Sequence, residues 1–193
     1  MTKAAIRKLY IQKRAALSEA KYFQLSHQLC ENFFAHVDLA FIRVLHTFIP
    51  IEKNKEPNTW LLIDRIRREF PHVRLSIPRI NNQTGELENF FFEGLHQLVQ
   101  NTWGVLEPKQ GVPTETEKID MVLVPLLAFD GQGQRVGYGK GFYDGLLARC
   151  SATCQRVGLS FFEPVDRIDD LNEADQPLTH AVTPTQFFQF PAL

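Results

Sequence analysis

The sequence predicts an α/β protein: a three-layer fold in which a largely parallel central sheet is flanked by helices and carries an edge hairpin. Three observations point to it. Short apolar runs that stop at proline or glycine alternate with longer segments whose apolar residues recur at helical spacing. The run from Met121 to Ala128 is apolar throughout, as in a buried strand. The polar turn Asn81–Glu86 separates Arg79-Ile80 from Phe90-Phe91-Phe92, which reads as an antiparallel excursion at a sheet edge. A chain of 193 residues favours one domain with a sizeable core, so residues 1–193 are read as a single domain.

The elements follow in order. Thr2 is a candidate N-cap for a helix running towards Leu17, with Ile6, Leu9 and Tyr10 at helical spacing. That segment carries Lys3, Arg7, Lys8, Lys13 and Arg14 and no acidic residue, and Lys3 and Arg7, four apart, share a face. Ser18 caps a second helix with the stripe Tyr22, Leu25, Leu29 and Phe33. Arg43–Ile49 reads as a strand ended by Pro50, and Glu52–Asn58 as a loop. Thr59 is expected to cap a third helix with Leu62, Ile63, Ile66 and Phe70 facing inward, followed by a strand Val73–Ile77 closed by Pro78. After the hairpin comes an irregular segment containing Trp103-Gly104. Met121–Ala128 is then expected as one strand, followed by a glycine-rich loop and a helix. Thr153–Leu159 is another strand, Val165–Gln176 an acidic loop and Phe187–Phe190 an edge strand.

Composition excludes several classes. The net charge of −1 does not suit a protein that coats nucleic acid, and no apolar run reaches membrane-spanning length, so neither partner is expected. The three cysteines include no CxxC pair and no signal-peptide pattern opens the chain, which predicts a cytoplasmic protein. The six histidines are scattered, so a histidine-held metal is not expected.

The chemistry concentrates in Arg135–Asp144, RVGYGKGFYD, directly after an apolar strand. Glycines that feed a helix N-terminus let unpaired backbone N–H groups approach a phosphate, with the helix dipole aimed at it. Arg135, Lys140 and Asp144 add two cations and a carboxylate, a set suited to a magnesium–nucleotide complex. The loop is not a Walker motif, because Gly141 follows Gly139-Lys140 where a hydroxyl is required. Nor is it a dinucleotide fingerprint, because Gly131, Gly133 and Gly137 are spaced G-x-G-x-x-x-G.

This stretch, with Pro125, Phe129 and Asp130 before it, resembles the signature of the 5-formyltetrahydrofolate cyclo-ligase (methenyltetrahydrofolate synthetase) family. The resemblance extends along nearly the whole chain. Lys3 and Arg7 are similar to the family's ATP-contacting pair, Glu56 to its acidic residue beside the formyl group, Trp103-Gly104 to its W-G element and Asp175 to its late metal-side aspartate. Glu52 is the rival to Glu56, and Tyr138 stands where many members carry arginine.

The resemblance implies ATP-dependent conversion of 5-formyltetrahydrofolate to 5,10-methenyltetrahydrofolate with release of ADP and phosphate, in folate one-carbon metabolism. It implies Mg2+ as cofactor, ATP and a reduced formylfolate as the small-molecule partners, and a monomer. Lys3, Arg7, Arg135, Val136, Gly137, Tyr138, Gly139, Lys140, Gly141, Phe142 and Tyr143 are the implied ATP site. Ile49, Glu56, Trp103, Tyr138, Phe142 and Tyr143 are the implied folate site, and Asp144 and Asp175 the implied metal ligands. Within these sets Glu56, Arg135, Lys140 and Tyr143 are the expected catalytic groups. The alternative is a non-catalytic nucleotide- or folate-binding module of the same fold.

Overall fold

In the computed structural model, which describes residues 1–191, helix α1 spans Lys3–Ala15 and α2 spans Glu19–His36. The hydroxyl oxygens of Thr2 and Ser18 accept from the amides of Ala5 and Lys21, so both expected caps form. Strand β1 covers only Val44–His46. The chain then leaves the sheet: the Phe48 carbonyl accepts from the Thr59 hydroxyl at 2.7 Å rather than from a strand. Helix α3 spans Thr59–Glu69, and its cap is Asn58, not Thr59, because the Thr59 hydroxyl is committed to Phe48 while Asn58 accepts from the Trp60 amide.

Strand β2 runs Arg74–Ile80, past the proline expected to end it, and pairs antiparallel with β3, Leu87–Phe91. The bonds Asn81 N–H to Glu86 O and Phe92 N–H to Leu75 O fix the alternation of this ladder. Pro78, opposite Asn89, therefore falls at a non-hydrogen-bonded pair, where its missing N–H removes no rung. Strands β4 (Leu98–Gln100) and β5 (Leu106–Pro108) form a separate hairpin with Trp103-Gly104 at its tip.

The apolar run from Met121 divides in two. Strand β6 is Met121–Pro125, and β7, Ala128–Phe129, pairs with β8, Arg135–Val136, in a second small sheet. Pro125 has no donor with which to continue the ladder. Helix α4 (Phe142–Arg149), β9 (Gln155–Leu159), β10 (His180–Val182) and β11 (Phe187–Gln189) complete the described elements.

The main sheet has the order β11-β10-β9-β6-β1-β2-β3, parallel at its centre and antiparallel at both margins. Residue alternation along β6 assigns the layers. Met121 and Leu123 join a core with Leu29 and Phe33 of α2 and Leu62, Ile63 and Ile66 of α3. Val122 and Val124 join another with Leu146 and Leu147 of α4. Burying such side chains contributes about 1.5–3 kcal/mol each, which is why the central strand tolerates no polar residue. Helix α1 lies apart, with Ile6 and Tyr10 packed on Leu127, Ala128 and Val136 of the β7–β8 region.

Candidate active site

A cavity of about 780 Å3 opens where β1, β2 and β6 end, and its wall includes Ile49, Ile80 and Pro125. The carboxyl ends of parallel strands are the usual place for a ligand in an open α/β sheet. The glycine loop crosses this end. Gly139 and Gly141 have φ values of +90° and +71°, a region L side chains rarely adopt. At Gly139 a Cβ would lie 3.1 Å from the Arg7 Cζ, so glycine also lets the α1 guanidinium lie across the loop. Gly141 is the cap of α4, and Phe142, Tyr143 and Asp144, whose amides have no partner within the helix, all line the cavity.

The charged groups come from both ends of the chain. Arg7 Nε donates to the Gly137 carbonyl at 3.0 Å. Lys3 Nζ is paired with Asp175 Oδ2. Arg135, nearly buried, places Nη2 2.7 Å from Asp144 Oδ1, which also accepts from the Gln176 amide at 3.0 Å. Lys140 lines the cavity without an ion pair among the described residues. Each aspartate is therefore engaged by a cation that also lines the cavity. Among the described residues no cluster of three or more His, Cys, Asp or Glu side chains could hold a metal by itself.

The lining also includes the apolar residues Phe48, Ile49, Ile80, Leu87, Leu106 and Phe142, together with Glu56. Glu56 is 3% exposed, and its Oε2 accepts from the Ile51 amide at 2.7 Å. Burial pushes its carboxyl above the usual range; the Ile51 N–H, the Arg14 charge and the Tyr138 hydroxyl oppose that rise. Glu52, the rival, is exposed on the turn before it and lies outside the lining. Lys55, left-handed at φ +46°, holds this turn to the end of α1 by donating to the carbonyls of Ala15 and Leu17. Burial, with the Glu56 charge second, holds the Tyr143 hydroxyl far above its ordinary range, so it remains a donor. Its Oη lies 3.3 Å from Nε2 of the fully buried His46, whose ring burial keeps neutral by lowering its pKa to about 3.

The cavity thus gathers Lys3, Arg7, Ile49, Glu56, every residue from Arg135 to Asp144, and Asp175. Trp103 is not brought there. Its side chain is 55% exposed at the hairpin tip, although Val105, Leu106 and Glu107 of the same hairpin do line the wall. Sequence reasoning missed Arg14 and His46. Arg14 follows Arg7 by seven residues, so helical spacing alone would have put it on the same face; nothing in the sequence marked His46.

The profile of the 5-formyltetrahydrofolate cyclo-ligase family matches residues 1–184. The chain belongs to that family. It is 27% identical to the 5-formyltetrahydrofolate cyclo-ligase of Escherichia coli over 183 residues, covering 93% of this chain and 98% of the relative. It is 31% identical to that of Mycolicibacterium smegmatis over 153 residues, 74% of each chain. Among solved structures it resembles the Aquifex aeolicus 5,10-methenyltetrahydrofolate synthetase, with a TM-score of 0.83 at 27% identity, covering 98% of this chain and 93% of that one. The fold is also that of the Mycoplasma pneumoniae 5,10-methenyltetrahydrofolate synthetase, at a TM-score of 0.75 and 23% identity. The cyclo-ligase resemblance, the α/β architecture and the enzyme class read from the sequence all stand. Among the described residues no helix is long and apolar enough to cross a membrane.

Proposed function

We propose that this cyclo-ligase converts 5-formyltetrahydrofolate to 5,10-methenyltetrahydrofolate, consuming ATP and releasing ADP and phosphate. One observation carries the reading. A single cavity combines a cationic, glycine-lined set with two aspartates and an apolar set with one buried glutamate. The first suits a triphosphate and the second a flat heterocycle with a polar edge.

The formyl oxygen attacks the γ-phosphorus, and the bond to the leaving ADP oxygen breaks. The neighbouring folate amine then closes the ring on the activated carbon. Loss of phosphate and of the amine proton yields the methenyl product. Lys3, Arg7, Arg135 and Lys140 neutralise the triphosphate, and Gly137, Gly139 and Gly141 let the backbone approach it. Glu56 accepts from the folate at the formyl end. Tyr143 stays a donor there, with Ile49, Phe142 and the Tyr138 ring as walls. Trp103 stands outside the lining, so substrate contact through it requires the hairpin tip to fold inward.

Magnesium fits the oxygen donors of Asp144 and Asp175, since it usually takes one or two carboxylates and leaves its other positions to phosphate and water. When bound it supplies charge neutralisation between the phosphates. Asp144 and Asp175 would hold it, and Arg135 and Lys3, their present partners, would turn to the nucleotide. The test is absorbance of the methenyl product after mixing purified protein with 5-formyltetrahydrofolate, ATP and magnesium. Folded protein that forms none under these conditions rules the proposal out.

A further inference from the structure

Arg14 stands on the last turn of α1, on the face that carries Lys3 and Arg7, yet it does not line the cavity. Its side chain is 2% exposed. Nη1 donates to the Tyr138 hydroxyl at 2.8 Å and Nη2 to the Leu126 carbonyl at 2.5 Å, while Nε has no partner. Among the described residues it makes no ion pair. Taking a guanidinium out of water costs several kcal/mol, and neutral oxygens compensate only part of that. A helix C-terminus favours a cation, but an exposed one would serve equally well.

Glu56 is the buried carboxylate that this charge reaches. Its Oε2 accepts from the Ile51 amide, and the titratable groups within electrostatic reach of it are Arg14 from α1, Tyr22 from α2, Tyr138 from the glycine loop and Tyr143 from α4. Of these only Arg14 is a cation. The Tyr138 hydroxyl accepts from Arg14 Nη1 at 2.8 Å and also acts on the Glu56 carboxyl, so it links the two charges.

We infer that Arg14 is a positioning residue of this site: it orients the Tyr138 hydroxyl and holds a positive charge behind Glu56, so that Glu56 meets the formyl end of the substrate as a carboxylate. The inference rests on the reading of Glu56 given above. It assigns a charge that never touches substrate, on a helix two of whose other cations, Lys3 and Arg7, line the cavity. One helix thereby serves both the charged lining and the Glu56 region, Lys3 and Arg14 being about 16.5 Å apart along its axis at 1.5 Å per residue.

The experiment compares Arg14→Gln, Arg14→Lys, Tyr138→Phe and Glu56→Gln with the parent protein by methenyl-product kinetics across pH and by thermal melting. Arg14→Gln is expected to lower kcat/KM for 5-formyltetrahydrofolate about tenfold while changing the KM for ATP less than about twofold. Its acid limb should move up by about one pH unit, because Glu56 then protonates more easily. Arg14→Lys should restore the limb, and Tyr138→Phe should reproduce the formylfolate-specific loss. Arg14→Gln that melts earlier but keeps kcat/KM and the acid limb of the parent overturns the inference and leaves Arg14 a structural tie. If Arg14→Gln does not fold, Tyr138→Phe decides: a parent-like KM for formylfolate and pH profile overturns the inference. Glu56→Gln separates the two levels. Parent-like turnover by that variant removes the reading of Glu56 itself, whereas its inactivity beside an unaffected Arg14→Gln removes only the role of Arg14.

Discussion

Asp144 uses Oδ1 twice, for the Arg135 guanidinium and for the Gln176 amide, so one change disturbs a cation, a loop and the proposed metal ligand. Asp144→Asn is expected to lower kcat roughly 10–100-fold and to raise the magnesium concentration needed for half-maximal rate. A magnesium titration at saturating ATP checks this, and an unchanged titration takes Asp144 out of the metal shell. Glu56 carries a different cost. Burial raises its carboxyl above the unfolded value, so the folded state holds the proton more tightly, and stability is lost as pH rises through the folded pKa. Glu56→Gln keeps an acceptor for the Ile51 amide and removes the buried charge. It should melt above the parent near neutral pH, with the gap closing towards the ordinary glutamate range of about 4.3. A lower melting temperature at neutral pH would mean that Arg14 and the Ile51 amide already offset burial in full. Residue identities of this kind were partly legible in the sequence. The glycine loop and Asp144 stood together in ten residues, whereas the partner of Tyr138 could not be read because Arg14 lies 124 positions away.

Elements differ in how far local chemistry determines them. The caps at Thr2 and Ser18, the helix stripes and the buried central strand follow from nearest-neighbour rules and were legible. The end of β1, the split of the apolar run at Pro125 and the β4–β5 hairpin depend on which strand lies alongside, which no local pattern records. Pro78 is the instructive case: as a strand-breaker it predicted an end, and only the register with Asn89 makes it harmless. In β9, a residue larger than Gly158 requires two leucine ends to move, since a Cβ there would lie 2.6 Å from Leu178 Cδ1 and 2.7 Å from Leu126 Cδ2. Gly158→Ala should cost about 1–3 kcal/mol by overpacking, a shift of several degrees in a thermal melt; an unchanged melt would mean that the two leucines can change rotamer freely. Helix α1 places charge at the cavity as well as packing Ile6 and Tyr10 into a core. Lys3→Ala removes a charged contact worth about 1.5–3 kcal/mol and should raise the KM for ATP by roughly tenfold or more, with kcat changed much less. An unchanged KM would return Lys3 to a surface role.

The whole molecule pairs its charges along the cavity lining, Lys3 with Asp175 and Arg135 with Asp144. Nucleotide without metal would bring phosphate against both aspartates. ATP with magnesium should therefore raise the melting temperature more than ATP with a chelator, and saturation to 100 times the dissociation constant corresponds to about 2.7 kcal/mol. Equal shifts in the two buffers would argue that the carboxylates stay with their cations. The same pairs have a kinetic side. Arg7 meets Gly137 across 130 residues and Lys3 meets Asp175 across 172, so these contacts close long loops in the chain. Loop closure of that length is unfavourable until the sheet and both its faces are in place, which puts docking of α1 among the last folding events. A polypeptide still being synthesised can hold its central strands while it has no phosphate site. Turnover then reports completed folding, and under mild denaturant it should disappear before the helical signal does.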